Sequence, residues 1–258
     1  DEHVAAELKA ICEKQEKIGG LAQSFWMDGC SFDAGIRAFE NSGILFPMLK
    51  ELGISLEFVH NPLTLGIGNR VITLDGEQGI LRYKALLQEI FPEEIQAIEG
   101  IFADVTKVKG YMDVLYGIDN PLFVDLGKDP EYLMKTILPW LFRYQTTMPK
   151  INRLQTPIYT FLERHTKNIA LVDLVAQHFF RNTPTSFALS YFGQYLDYRY
   201  PIGGTGALSN ALQAFLVQRE GEVVLNTEVI KVNPKLQQLW TKEGTSITYG
   251  SLIWCGDQ

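Results

Sequence analysis

The stretch Lys9-Ala10-Ile11-Cys12-Glu13-Lys14-Gln15-Glu16-Lys17-Ile18-Gly19-Gly20 runs from an apolar trio into an acid and closes on two glycines. Phe32-Asp33-Ala34-Gly35 follows a short way on. Ala10 to Cys12 predict a short strand, and Glu13 stands at its end. An acid there can accept hydrogen bonds from ribose hydroxyls, and paired glycines let the backbone approach a pyrophosphate. The glycine loop that precedes such an acid by about 20 residues in dinucleotide-binding folds has no room ahead of Lys9. On these residues alone, Glu13 reads first as a solvated acid at a strand end.

Composition narrows the classes. A net charge of -7 argues against nucleic acid as the main partner, because phosphate binding needs a basic face. Cys12, Cys30 and Cys255 are odd in number and far apart, which suits a reducing, cytoplasmic setting; Cys12 and Cys255 read as small buried strand residues. No histidine or cysteine cluster has metal spacing. No apolar run approaches the roughly 20 residues of a membrane span, although peripheral membrane contact stays open. The chain lacks an initiator Met and stops at Trp254-Cys255-Gly256-Asp257-Gln258, so it reads as part of a longer protein.

Pattern divides the chain in three. Residues 1–7 suggest the tail of a helix. Around Asp28-Gly29, a turn dipeptide, short extended pieces are expected at 23–25 and 31–32. Helical spacing covers 44–52, and strands are expected at 56–60, 63–67 and 70–74. From Gly79 to Tyr198 helical periodicity dominates, at 81–90, 92–114, 130–144, 158–165 and 169–180. Pro92-Glu93-Glu94 suits a helix start, where a fixed φ and negative charge are both favourable. Then Tyr200-Pro201-Ile202-Gly203-Gly204-Thr205-Gly206-Ala207-Leu208 opens a helix that Gly221 ends. A strand at 223–225, a meander at 229–232, 236–241 and 246–249, and a last strand at 252–255 complete the reading.

Taken together, Glu13 with Gly19-Gly20 and Asp33-x-Gly35, the Gly203–Ala207 turn, and Leu225-Asn226-Thr227-Glu228-Val229 resemble the FAD-dependent amine oxidase and carotenoid desaturase superfamily. The branch they resemble most is that of phytoene desaturases, carotenoid isomerases and retinol saturases. The resemblance implies an α/β fold: a truncated Rossmann-type FAD-binding domain at 1–55 and 200–258. A mainly helical α+β substrate-binding domain at 56–199 would interrupt it. It also implies that Glu13 and Gln15 bind the adenosine ribose, that Gly19, Gly20 and Leu21 lie along the pyrophosphate, and that Val229 brackets the adenine. Asp33 and Gly35 would begin the segment near the flavin ring. Gly203, Gly204, Thr205, Gly206 and Ala207 would face the substrate. Two departures stand out: Leu21 occupies a place where relatives often carry Arg, and Ala207 one where amine oxidases place a polar or larger residue.

In that fold the strand at 223–225 would lie parallel beside 10–12. The strands at 9–13 and 251–255 would stand one strand apart, about twice the 4.7–4.9 Å between neighbours.

The expected activity is an FAD-dependent oxidoreductase of desaturase, saturase or isomerase type on a lipophilic, polyene-like substrate. A flavin does the electron chemistry in such a reaction, so no nucleophilic triad or metal is required and no catalytic side chain is named. A flavin amine oxidase, and a non-catalytic protein like the prenyl-protein escort and GDP-dissociation-inhibitor proteins, are the other readings. Plainer accounts stand beside these. Gly203–Gly206 could be an ordinary helix start, and the aromatics from Phe179 to Tyr200 could be core or the wall of a binding site. Gly66-x-Gly68 reads as a hairpin turn. His165 and His178 read as structural or solvated residues.

Overall fold

A computed structural model describes residues 10–123, 130–194 and 196–256. The helix tail expected at 1–7, Lys9, and Tyr195 of the aromatic series lie outside the described residues. Along the chain run β1 (Ala10–Cys12), β2 (Ser24–Met27), β3 (Cys30–Asp33), α1 (Leu45–Glu51), β4 (Phe58–His60), β5 (Leu63–Ile67), β6 (Arg70–Leu74), α2 (Gly76–Ile90) and α3 (Ile95–Tyr116). Then come α4 (Leu138–Asn152), α5 (Ile158–His165), α6 (Ile169–Ala176), α7 (Thr185–Gln194), β7 (Arg199–Pro201), α8 (Gly206–Gln218), β8 (Glu222–Val224), β9 (Val229–Asn233), β10 (Gln238–Thr241) and β11 (Ser246–Thr248). Backbone proximity divides the chain into two units. One comprises residues up to 37, 54–58 and from 201 onward; the other comprises 38–53 and 59–200.

In the first unit β1 pairs in parallel with β8, with Ile11 opposite Val223. β2 and β3 form a hairpin across Asp28-Gly29, whose φ values of 51° and 79° are both positive. That left-handed pair matches the right-handed twist of flanking strands, which is why an Asp-Gly dipeptide closes two-residue hairpins. Pairing continues past the strands, with the Ala34 N–H donating to Gln23 O and the Ile36 N–H to Leu21 O. β9, β10 and β11 make the antiparallel meander, with a bulge at Trp240/Thr241. The run Leu252–Cys255, expected as a strand, forms none: it pairs with no described strand, Ile253 is 73% exposed, and Cys255 is exposed rather than buried. Its apolar alternation matches a strand, but extended backbone gains a ladder only from a neighbour with free N–H and C=O groups. The expected spacing between two strands at 9–13 and 251–255 therefore has no second strand to measure from.

The second unit is built on α3. Ile98, Ile101, Phe102, Val105 and Val108 recur at helical spacing and are all buried. They join Leu87 of α2, Ile158 and Leu162 of α5, Leu171 and Val175 of α6, and Leu189 and Phe192 of α7 in one core. Tyr83, Phe102 and Phe192 meet there with ring centroids 6.0–6.3 Å apart. α5 crosses α3 at Gly100, where any Cβ would come within 2.8 Å of His165 Nδ1. His165 Nε2 lies 3.3 Å from Asp104 Oδ2, which ties the same crossing. Phe39 and Arg199 bring the first and last residues of this unit together, each N–H donating to the other's carbonyl at 2.8 Å. Among the described residues no helix is long and apolar enough to cross a membrane.

Helix ends moved where capping chemistry decides them. Asn168 caps α6, its Oδ1 accepting from the Leu171 N–H at 3.2 Å, but the helix stops at Ala176 and not at Phe180. α7 was not anticipated. Its first residue Thr185 is fully buried and donates its hydroxyl to Thr156 O, a long-range anchor that local sequence does not display.

Candidate functional site

Three sequence signatures converge in the first unit. Glu13, directly after β1, has both backbone groups tied down. Its N–H donates to Val224 O at 2.9 Å, and its carbonyl accepts from the Thr227 N–H at 2.8 Å. Gln15 O accepts from Asn226 N–H at 3.0 Å, where Asn226 sits at φ 53°. The Leu225–Val229 stretch thus wraps the Glu13–Gln15 backbone. Glu13 Oε1 accepts from the Gln15 N–H at 2.8 Å, which orients the half-buried carboxylate. A carboxylate fixed in this way beyond a parallel strand is suited to receiving ribose hydroxyls.

The glycine pair meets the second signature. Gly19 has φ 108°, and a Cβ there would lie 2.6 Å from Ser209 Oγ on α8. Gly20, at φ 51°, faces open space. Leu21, next in line, packs on Gly35, where a Cβ would stand 3.0 Å from that of Leu21.

Asp33 and the Gly203–Ala207 turn form the tightest part of the site. Asp33 Oδ1 accepts from the Thr205 N–H and hydroxyl, both at 2.9 Å, and from Ser24 Oγ at 2.8 Å. Ser24 Oγ accepts in turn from the Gly206 N–H at 3.0 Å. A Cβ at Gly204 would lie 2.6 Å from Ser24 Oγ, and one at Gly206 2.9 Å from Ser24 N. Glycine is therefore required twice for the turn to touch β2. Thr205 is fully buried, and its polar groups are committed to Asp33. What the turn shows outward is Ile202, Gly203 and part of Ala207.

Val229 lies on β9 opposite Thr241. Val229, Ile230, Lys231 and Val232 line an open groove of about 400 Å³ with Leu252 and Trp254. Thr241 is buried, and its hydroxyl oxygen has no hydrogen-bond partner.

Sequence reasoning missed Ser24, Ser209 and Thr227. Ser24 has no motif of its own, and its role comes wholly from the glycines that approach it. The aromatic series is split: Phe192 is core, whereas Phe180 and Phe187 are exposed. His178 sits among Phe179 and Tyr191, and burial holds its imidazole below the ordinary histidine range.

These groups suit the adenosine end of an FAD. An oriented acid stands at the end of a parallel strand, and a positive-φ glycine beside it leaves room for close approach. Glu13, Gly20 and the backbone around Val229 are the residues that would hold it.

Solved structures with this fold include a protein of Pyrococcus furiosus, 13% identical over 93% of this chain with a TM-score of 0.57. They also include an oxidoreductase of Methanosarcina mazei, 10% identical over 91% with a TM-score of 0.55. This chain spans 50% of the length of each. No curated protein matches the sequence. The model of the flavin-containing amine oxidoreductases matches residues 10–257. Such a match covers every element described above, so the chain belongs to the flavin-containing amine oxidoreductase family, whose cofactor is FAD.

Proposed function

We propose that this chain is part of an FAD-dependent oxidoreductase of the desaturase, saturase or isomerase type, acting on a lipophilic, polyene-like substrate. The family assignment supports flavin chemistry. The observation that carries the substrate class is the Gly203–Ala207 turn. Its one hydroxyl, on Thr205, is buried and bound to Asp33, and its outward surface is Ile202, Gly203 and the Ala207 methyl. Such a surface offers an incoming molecule backbone and hydrocarbon, with no side-chain group to hold an ammonium.

In this reading FAD, when bound, takes up or returns the electron pair and hydrogen of a carbon–hydrogen bond. Glu13 accepts hydrogen bonds from the ribose hydroxyls, and Gly20 gives the pyrophosphate room beside the backbone. Asp33 holds the substrate-facing turn to the β2–β3 hairpin, so that position is set before substrate arrives. The residues up to 37 and from 201 onward make the cofactor-binding part, and the α3-centred unit binds substrate.

Amine oxidation is the second reading, favoured by the family match itself. The experiment is anaerobic reduction of the whole, flavin-loaded protein with panels of carotenoids, retinoids and amines, followed by loss of flavin absorbance. Bleaching by polyenes, or reoxidation of the reduced protein by them, bears the proposal out. Bleaching by amines alone replaces it with amine oxidation. A whole protein that takes up no flavin points to the escort-like, non-catalytic reading.

A further inference from the structure

The helical run that begins at Pro130 and continues through α4 has two faces of opposite character. Its inner face is fastened: Trp140 Nε1 donates to Val114 O at 2.6 Å, Trp140 stacks on Tyr144 at 5.0 Å, and Thr147 and Ile151 are buried. Its outer face carries Met134, Leu138, Leu141 and Phe142, at steps of four, three and one, all exposed, with Phe142 at 73%. Four large apolar side chains on one helical stripe exceed the scattered exposure that a soluble surface normally shows.

Charge says what covers this stripe. From Tyr132 to Leu162 the chain carries Lys135, Arg143, Lys150 and Arg153 and no acid, within a protein of net charge -7. Lys135 pairs with Glu131. Arg143, Lys150 and Arg153 are exposed, and none forms an ion pair among the described residues; Lys150 rests over the Tyr111 ring at 5.8 Å. An apolar stripe fringed by cations is the pattern of a helix lying in a lipid headgroup region, where apolar area and anionic lipid add their attractions. A second copy fits badly, because a two-fold contact would set each copy's cations against the other's.

We propose that this face docks on an anionic phospholipid surface, with Met134, Leu138, Leu141 and Phe142 inserted and Arg143, Lys150 and Arg153 at the headgroups. The test is co-sedimentation of the whole protein with vesicles of phosphatidylcholine alone and of phosphatidylcholine with phosphatidylserine. Binding is expected on the second only, and it should fall as salt rises. Arg143→Glu with Arg153→Glu should lower the partition coefficient by roughly fivefold or more per charge changed. Phe142→Ser with Met134→Ser should weaken binding several-fold while leaving the circular dichroism spectrum unchanged. Equal behaviour on both vesicles, or binding untouched by both pairs of substitutions, overturns the proposal. So does concentration-dependent doubling of mass that the Phe142→Ser, Met134→Ser variant abolishes.

Discussion

Asp33 Oδ1 lies 2.9 Å from the backbone nitrogen of Thr205, although 172 positions separate the two residues in the chain. One carboxylate oxygen gathers this N–H, the Thr205 hydroxyl and the Ser24 hydroxyl. A hydrogen bond to a charged group contributes about 1.5–3 kcal/mol, and a partner left buried without one costs about as much.

Asp33→Ala should therefore destabilise the protein by about 2–3 kcal/mol, since the Thr205 hydroxyl stays buried with no acceptor. Asp33→Asn keeps an oxygen in place and should lose less. Urea unfolding of both variants checks the order, and equal losses would mean that the carboxylate does not organise the turn.

Gly204→Ala and Gly20→Ala separate conformation from contact. Both glycines have positive φ, at 89° and 51°, so each alanine costs on the order of 1 kcal/mol in backbone strain. Only at Gly204 does the new methyl meet Ser24 Oγ, at 2.6 Å, whereas Gly20 faces open space. Thermal unfolding should show the Gly204 variant clearly the worse of the two.

Thr241→Val should stabilise the meander. The substitution keeps the β-branched shape and removes a buried hydroxyl oxygen without a partner. An unsatisfied buried polar group costs about 1–3 kcal/mol, so a gain of roughly 1 kcal/mol is expected in chemical unfolding. A loss of stability would show that this oxygen is satisfied in solution.

The junction at Phe39 and Arg199 should depend on pH. Arg199 Nε donates to Asp197 Oδ1 at 2.8 Å and its guanidinium lies over Phe46, while the Asn41 N–H reaches Asp197 Oδ2 at 3.3 Å. Burial first, and the Asp197 charge second, raise the Glu40 carboxyl above the ordinary range; Tyr198, linked to Tyr191 at 3.2 Å, is a further neighbour. A raised acid binds its proton more tightly when folded. Its contribution is thus full below the ordinary glutamate range and is lost as pH rises through the raised value. Burial of His178 acts in the opposite sense, removing stability as pH falls below the ordinary histidine range. The difference between the parent and Glu40→Gln isolates the first effect, because the variant cannot ionise. Relative to the parent, the variant should gain stability with rising pH in urea unfolding series, and a flat difference would refute the assignment.

Local chemistry made some elements legible and hid others. Asp28-Gly29 announced its hairpin because two positive φ angles leave few alternatives, and α5 matched its expected span because Pro157 precedes it and its apolar spacing is strict. The run at 252–255 misled because alternation says only that a strand would be amphipathic, never that a partner awaits it. In the site, Glu13, Gly19 and Asp33 could be singled out because acids and glycines are costly residues to place without cause. Ser24, Ser209 and Thr227 could not, since a hydroxyl or a backbone N–H is suitable almost anywhere until folding supplies its neighbour.

The pair of hydrogen bonds between Phe39 and Arg199 also has a mechanical meaning. A chain drawn out by its two ends would pass tension across this bridge before it reached the backbone from 40 to 198. The load would peel the bonds one after the other instead of shearing them together, so release should come at low force. Until then α3 and the helices packed on it would be shielded from the pull, and force spectroscopy would record the bridge as a small first step ahead of the main unfolding event.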